Sequence, residues 1–251
     1  MNHSDSPEPA PGADPFVHVP HLRGRFVAPE DSKVRVTPEI LAQWDENAIA
    51  RGDGLTWRLP DEEREASRRA FLQGVDTREG LWFFGYGSLM WDPAVYFKEV
   101  RAAELDGYQR RFNYVVNGGR GTPECPGLVL SLVAAPGQCC QGLAFWLAPE
   151  AVEHETTLLW RREMVRGGYA PTLLPLRTPQ GPAQALVFVA HDANPHYVHD
   201  LSLAQTAEIV AKAEGHLGRN CDYLFQLAEQ LRAMAISDDY IDDLVARVRA
   251  L

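Results

Sequence analysis

Long apolar runs are missing from this sequence. No segment of the 251 residues approaches the roughly 18 consecutive apolar residues of a helical membrane span. A basic face is missing too. Lys and Arg number 24 against 34 Asp and Glu, a formal charge of −10 without any Lys/Arg run. That argues against a nucleic-acid partner, because neutralising phosphates takes clustered cations. Residues 1–14 lack the basic-then-apolar order of a secretory signal. Cysteine is scarce: Cys125, Cys139, Cys140 and Cys221 include no C-x-x-C pair for zinc, and neighbours such as Cys139 and Cys140 rarely bridge each other. These absences together point to reduced thiols and a cytoplasmic protein that binds neither membrane nor nucleic acid.

What is present is an ordinary globular composition, 45% hydrophobic and 23% charged, in a chain long enough to bury a core without disulfides or a structural metal. Residues 1–30, rich in Pro, Ser, Asp and Gly and without apolar periodicity, read as a mobile tail or an extended strap. Thr37-Pro38-Glu39 looks like a helix start, with Ile40, Leu41, Trp44 and Ala48 on one side and Gly52 as a stop. A second helix is predicted over 61–73. From Leu81 the texture changes: Leu81-Trp82-Phe83-Phe84 reads as a buried strand ending in the turn Gly85-Tyr86-Gly87-Ser88. Further strands are expected over 99–116, 127–134 and 142–147, then a helix from 149 to about 166 closed by Gly167-Gly168, then strands over 172–176 and 185–190. The last third is helical: Ser202-x-x-Gln205 is a capping box, Asn220 is a candidate cap for the next helix and Ser237 for the last. Strands first and helices last indicate an α+β domain.

Four places could carry chemistry. At about 100° per residue, Val152, Thr156, Leu159 and Glu163 share one narrow helix face, so a carboxylate stands where the pattern asks for an apolar residue. Burial would raise its pKa and suit a group that takes and gives a proton near neutrality. A Glu paired with a neighbouring Arg at a helix end fits the same position, and the sequence leaves both open. The turn Gly85-Tyr86-Gly87-Ser88-Leu89 follows a strand, and its amides could form a nest for an anion or oxyanion; it could also simply turn. Ser88 is disfavoured as a nucleophile, because a hydrolase elbow has glycines where Tyr86 and Met90 stand. Arg120, in Gly118-Gly119-Arg120-Gly121, suits a substrate carboxylate or a surface loop equally. His191, His196 and His199 cluster in a Pro-containing stretch, where a solvated loop is favoured over a metal site.

Together these residues resemble the ChaC family of γ-glutamylcyclotransferases. Phe84-Gly85-Tyr86-Gly87-Ser88-Leu89-Met90-Trp91 is similar to the family's opening strand and substrate-binding turn. Gly107-Tyr108-Gln109-Arg110-Arg111-Phe112, Arg120-Gly121 with Pro126-Gly127, and Arg162-Glu163 followed by Gly167-Gly168-Tyr169 resemble its next segments in order. So do Asn194-Pro195-x-Tyr197 and Gly218-x-Asn220-x-x-Tyr223-Leu224. The resemblance implies a small mixed β-barrel with flanking helices, the γ-glutamylcyclotransferase-like fold. It implies cleavage of glutathione to 5-oxoproline and cysteinylglycine with no metal or organic cofactor. It places the catalytic acid on Glu163, and substrate contacts on Gly85, Tyr86, Gly87, Ser88, Leu89, Met90 and Arg120, with Tyr169 and Tyr197 lining the pocket. Residues 81–251 form the matching domain, and 1–80 an extension, tail then helices, beyond the compact family pattern. Other γ-glutamyl amines as substrates, a non-catalytic γ-glutamyl-binding protein and a Ser88 hydrolase are the alternatives.

Overall fold

The computed structural model describes residues 14–52 and 54–251; the part of the expected tail in 1–13 lies outside the described residues. The protein is a mixed α+β structure built on a closed five-stranded barrel. Strands β1 (Leu81–Gly85), β2 (Glu99–Val116), β3 (Gly127–Leu147), β4 (Tyr169–Thr178) and β5 (Gly181–Ala190) run in the order β1-β3-β2-β4-β5. β1 lies antiparallel to β3, with Phe83 opposite Phe145, and parallel to β5, with Phe83 opposite Leu186. Flanked by strands on both sides and buried along most of its length, β1 is an unbroken apolar run rather than an alternating one. The chain forms two compact units, one reaching Asp106 and taking up Gln141–Val189, the other comprising Gly107–Cys140 and Ala190–Leu251, and β2 and β3 pass from one into the other.

In the first unit, residues 14–36 form a strap rather than a free tail. Val100 donates its amide to the Pro15 carbonyl at 3.0 Å, Val27 donates to that of Trp91 at 2.8 Å, and Phe26 packs edge-on to Phe145 at 5.9 Å. Helix α1 (Pro38–Ala50) is capped as expected: the Thr37 hydroxyl accepts the Ile40 amide, an interaction worth about 1 kcal/mol. Helix α2 (Asp61–Gln73) packs on α3 (Val152–Glu163). Arg68 of α2, only 2% exposed, donates to the Glu153 carboxylate and the Thr156 hydroxyl. Arg35 reaches α3 from the strap and grips the buried Glu155 carboxylate with two bonds of 2.8 and 3.0 Å. Removing one partner of such a buried pair typically costs about 3–5 kcal/mol.

Two expectations need correction. The helix expected over 149–166 is a 3₁₀ turn at Pro149–Ala151 followed by α3, which stops at Glu163. Met164 leaves helical geometry at φ −98° and ψ 27°, the Val165 carbonyl beyond it accepts the Leu59 amide at 2.8 Å, and Gly167 turns at φ +63°. The strands expected over 127–134 and 142–147 are one strand, β3. Pro136-Gly137 reads as a break, but the strand continues through it with Gly137 at φ +84°, a conformation open to glycine.

Where β1 and β3 approach, a glycine is required. A Cβ at Gly142 would lie 2.3 Å from the Gly85 carbonyl oxygen and 2.9 Å from the Phe84 ring. Gly142→Ala is expected to lower stability by about 1–3 kcal/mol, seen in thermal denaturation as a Tm lower by about 2–4 °C for each kcal/mol in a chain of this size.

The second unit joins the distal halves of β2 and β3 with a short ribbon, β6 (Glu214–Gly215) and β7 (Gly218–Arg219), and helices α4 (Leu203–Lys212), α5 (Asn220–Ala233) and α6 (Asp239–Ala250). The Ser202–Gln205 capping box forms as expected. Asn220 does not cap α5. It is the first helical residue, and its amide group accepts the Leu128 N–H at 2.7 Å and donates to the Leu128 carbonyl at 2.8 Å. A buried side chain with both a donor and an acceptor matches one strand residue's two backbone groups better than a helix end. For α6 the cap is Asp238, not Ser237; its carboxylate accepts the Ile241 amide at 3.2 Å and also receives Arg110 at 3.1 Å.

Candidate active site

The chain leaves β1 at Gly85 and tightens into a 3₁₀ turn, Ser88–Met90. A Cβ at Gly85 would sit 3.1 Å from both the Leu89 side chain and the Phe145 ring, so this glycine admits close packing, and Gly87 stands at a negative φ of −137°. Leu89 and Met90 are buried and anchor the turn. The Met90 amide returns to the Gly87 carbonyl, and those of Trp91 and Asp92 to Ser88. Among the described residues, the amides of Gly87, Ser88 and Leu89 take part in none of these turn bonds, as expected at the start of a helical turn. Tyr86 is buried and donates its hydroxyl to the Phe188 carbonyl of β5 at 2.7 Å. The Phe188 ring meets Trp160 of α3 at 5.2 Å and Tyr169 of β4 at 6.5 Å.

Glu163 is the last residue of α3. Its predicted face is the buried one, with Val152, Thr156 and Leu159 all inside, and only 14% of the Glu163 side chain is exposed. Burial pushes its carboxyl above the ordinary carboxylate value, against the pull of Arg162. Its position at the negative end of the helix dipole acts in the same sense as burial.

Arg162 ties these parts together. Its side chain is 9% exposed, and its Nε lies 3.0 Å from Glu163 Oε1. Its Nη2 donates to Ser88 Oγ at 2.8 Å, and its Nη1 to the Asp92 carbonyl. One planar guanidinium thus sets the distance between the carboxylate on α3 and the turn after β1, through the fixed fork of donors that arginine offers and lysine does not. Glu163 thus both lies on the buried apolar face of α3 and pairs with an arginine. Arg162 enters the sequence reading only as a neighbour of Glu163. The available signal was three charged residues, Arg161-Arg162-Glu163, closing a helix whose preceding turn, Leu158-Leu159-Trp160, is apolar.

The first unit holds the turn, Glu163 and Tyr169. Arg120 and Tyr197 belong to the second. Arg120 donates to the Arg219 carbonyl at 3.2 Å. Tyr197 bridges to Tyr114, and burial raises its phenol pKa while a hydrogen bond with Asn113 opposes the rise. His196 lies 5.9 Å from the Tyr114 ring and His199 4.6 Å from that of Tyr197. Among the described residues no group of three or more His, Cys, Asp or Glu is placed to hold a metal ion, and no helix is long and apolar enough to cross a membrane.

The family model described as ChaC-like protein matches residues 81–251. The chain belongs to the ChaC-like family. Among its relatives is the glutathione-specific gamma-glutamylcyclotransferase of Escherichia coli (strain K12), 38% identical over 200 residues, covering 79% of this chain and 85% of that protein. Another is glutathione-specific gamma-glutamylcyclotransferase 1 of Danio rerio, 38% identical over 172 residues, covering 67% and 86%. Among solved structures, a gamma-glutamyl cyclotransferase specific to glutathione from yeast superposes with a TM-score of 0.63 at 23% identity, covering 68% of this chain and 96% of that one. The barrel of this ChaC-like chain is therefore the γ-glutamylcyclotransferase fold that its sequence resembles. All of the candidate residues, from Gly85 to Tyr197, fall inside the matched segment.

Proposed function

We propose that the protein is a glutathione-specific γ-glutamylcyclotransferase, a lyase that converts glutathione to 5-oxoproline and cysteinylglycine. The observation that carries the reading is the buried Glu163 carboxyl, paired with Arg162, whose guanidinium also donates to Ser88 of the glycine turn. In this reaction the α-amine of the γ-glutamyl group attacks its own γ-carbonyl. A nitrogen–carbon bond closes the five-membered lactam, the amide bond to cysteine breaks, and no water is consumed. The α-amine arrives mostly protonated. Glu163 as carboxylate accepts its proton and later delivers one to the departing amide nitrogen, a two-way role helped by burial, which raises the pKa of its carboxyl. Because amine and carbonyl are already tethered, holding the folded conformer supplies much of the acceleration. We assign the grip on the γ-glutamyl part to the turn from Gly85 to Met90, with its amides facing the developing oxyanion. Tyr169, on β4 of the same unit, completes the substrate contacts there.

Ser88 is not the nucleophile in this scheme. Its oxygen accepts from Arg162, and a guanidinium has no lone pair with which to take up the hydroxyl proton. We further read 81–251 as the catalytic domain and 1–80 as its extension, and place the protein in the cytoplasm, in keeping with four cysteines that form no disulfide.

The test is the product. Mass spectrometry after incubation with glutathione in ¹⁸O-labelled water is expected to find unlabelled 5-oxoproline, and glutathione acetylated on its α-amine is expected to remain intact. Glutamate as the primary product, with label in its released carboxyl group, would return a hydrolase to first place.

A further inference from the structure

The family match begins at Leu81, yet the helix that carries Glu163 is held largely by residues before it. Two of these contacts bracket Glu163 at two residues on either side. Arg161 donates its Nη1 to the Val36 carbonyl at 3.3 Å, and the Val165 carbonyl accepts the Leu59 amide at 2.8 Å. The Leu59 side chain packs on Gly167, where an added Cβ would come within 3.1 Å of Leu59 Cδ1. Arg58, next to Leu59, is itself fixed by Asp45 of α1 through bonds of 2.7 and 2.8 Å. The C-terminal end of α3 therefore leans on a segment that is braced in turn against the first helix.

We propose that Leu59 and Arg161 are positioning residues for the reaction, through which the N-terminal extension fixes the last turn of α3 and keeps water from Glu163. The inference rests on Glu163 being the proton-transferring group. A helix end is where frays begin, since its last carbonyls have no intrahelical partner. Here the extension binds the side chain of Arg161 within the last turn and the carbonyl of Val165 two residues past Glu163, so the helix end is held on both sides. The charged group that faces Glu163 is Arg162, from the same helix. Loosening the turn changes the hydration of Glu163 without removing that partner.

The experiment uses the full chain with Leu59→Ala, Leu59→Met and Arg161→Met, glutathione as substrate, and kcat and KM measured across pH. For Leu59→Ala, kcat is expected to fall about tenfold, a fraction of the roughly 10²-fold loss that follows a 1 Å misplacement, with KM within about twofold. The acidic limb of kcat/KM should move to lower pH, because a hydrated carboxyl loses the upward shift that burial gives it. Leu59→Met keeps the apolar contact and should restore both. Arg161→Met should repeat the signature of Leu59→Ala and decides the matter if that variant does not fold. Wild-type kcat and an unmoved limb in Leu59→Ala and Arg161→Met, or a loss of kcat with the limb unmoved, would overturn the proposal. Glu163→Gln in the same assay separates the two readings. If it is inactive while these variants behave as wild type, the positioning role alone fails. If it is active, the assignment of Glu163 fails, and the positioning role with it.

Discussion

Glu163→Gln is expected to lower kcat by about 10²–10⁴-fold, the range typical of a general acid–base group. The amide keeps the size of the carboxylate and can still accept from Arg162 Nε, so the guanidinium keeps its place beside Ser88 and Asp92. Substrate binding and thermal stability should therefore stay near wild type while turnover is lost. Isothermal titration with glutathione and a thermal melt check the first half, and 5-oxoproline release the second. Turnover within about tenfold of wild type would remove Glu163 from the mechanism.

Arg162→Met carries the second large effect. The change takes away the bond to Ser88, the bond to the Asp92 carbonyl and the partner of Glu163 in one step. A loss on the order of 10²-fold in kcat is expected, the scale of a catalytic group misplaced by about 1 Å. The pH profile gives a second, independent reading. Arg162 holds the Glu163 pKa down while burial pushes it up. With the guanidinium gone, burial acts unopposed, the carboxylate forms only at higher pH, and the acidic limb of kcat/KM moves upward. That is the opposite of the shift expected for Leu59→Ala. Arg162→Lys should fall between wild type and Arg162→Met in rate. It keeps the charge near Glu163, so its acidic limb should stay close to that of wild type, but a single ammonium cannot span three acceptors. An unshifted limb in Arg162→Met would mean that the arginine does not set the protonation of Glu163.

Much of this arrangement was legible in local sequence. Thr37 and Pro38 announced α1, and the apolar run from Leu81 announced β1, because capping groups and buried strands are written in adjacent residues. The face that Glu163 shares with Val152, Thr156 and Leu159 was a matter of helical spacing, and burial follows it. What escaped the sequence depends on partners far along the chain. Asn220 looks like a cap until its amide meets Leu128, 92 residues away. Pro136-Gly137 looks like a strand end because these residue types usually break a strand, and only the structure shows β3 continuing through them with Gly137 at φ +84°. The strap around Phe16 and Phe26 has no period, since its aromatics pack irregularly against Phe97 and Phe145 rather than along a helix or strand. Arg162 was visible as a residue but not as a junction, because its acceptors lie 70 and 74 residues earlier.

The grip of Arg35 on Glu155 spans 120 residues, and that separation has a consequence for the birth of the molecule on the ribosome. At about 5–20 residues per second, Arg35 is made roughly 6–24 seconds before the carboxylate it will hold. Through that interval Arg35 stays hydrated, at no cost, because the acid that draws it under the surface does not yet exist. The order is the favourable one. When α3 is finally made, the arginine that neutralises its inward-facing Glu155 is already waiting, so the buried acid need never spend time unpartnered. A circular permutant that starts at Leu81 and appends the strap to the other end would reverse the sequence of events. It is expected to refold in a test tube to the same structure, yet to yield less soluble protein from cells, where the carboxylate would have to wait for its arginine.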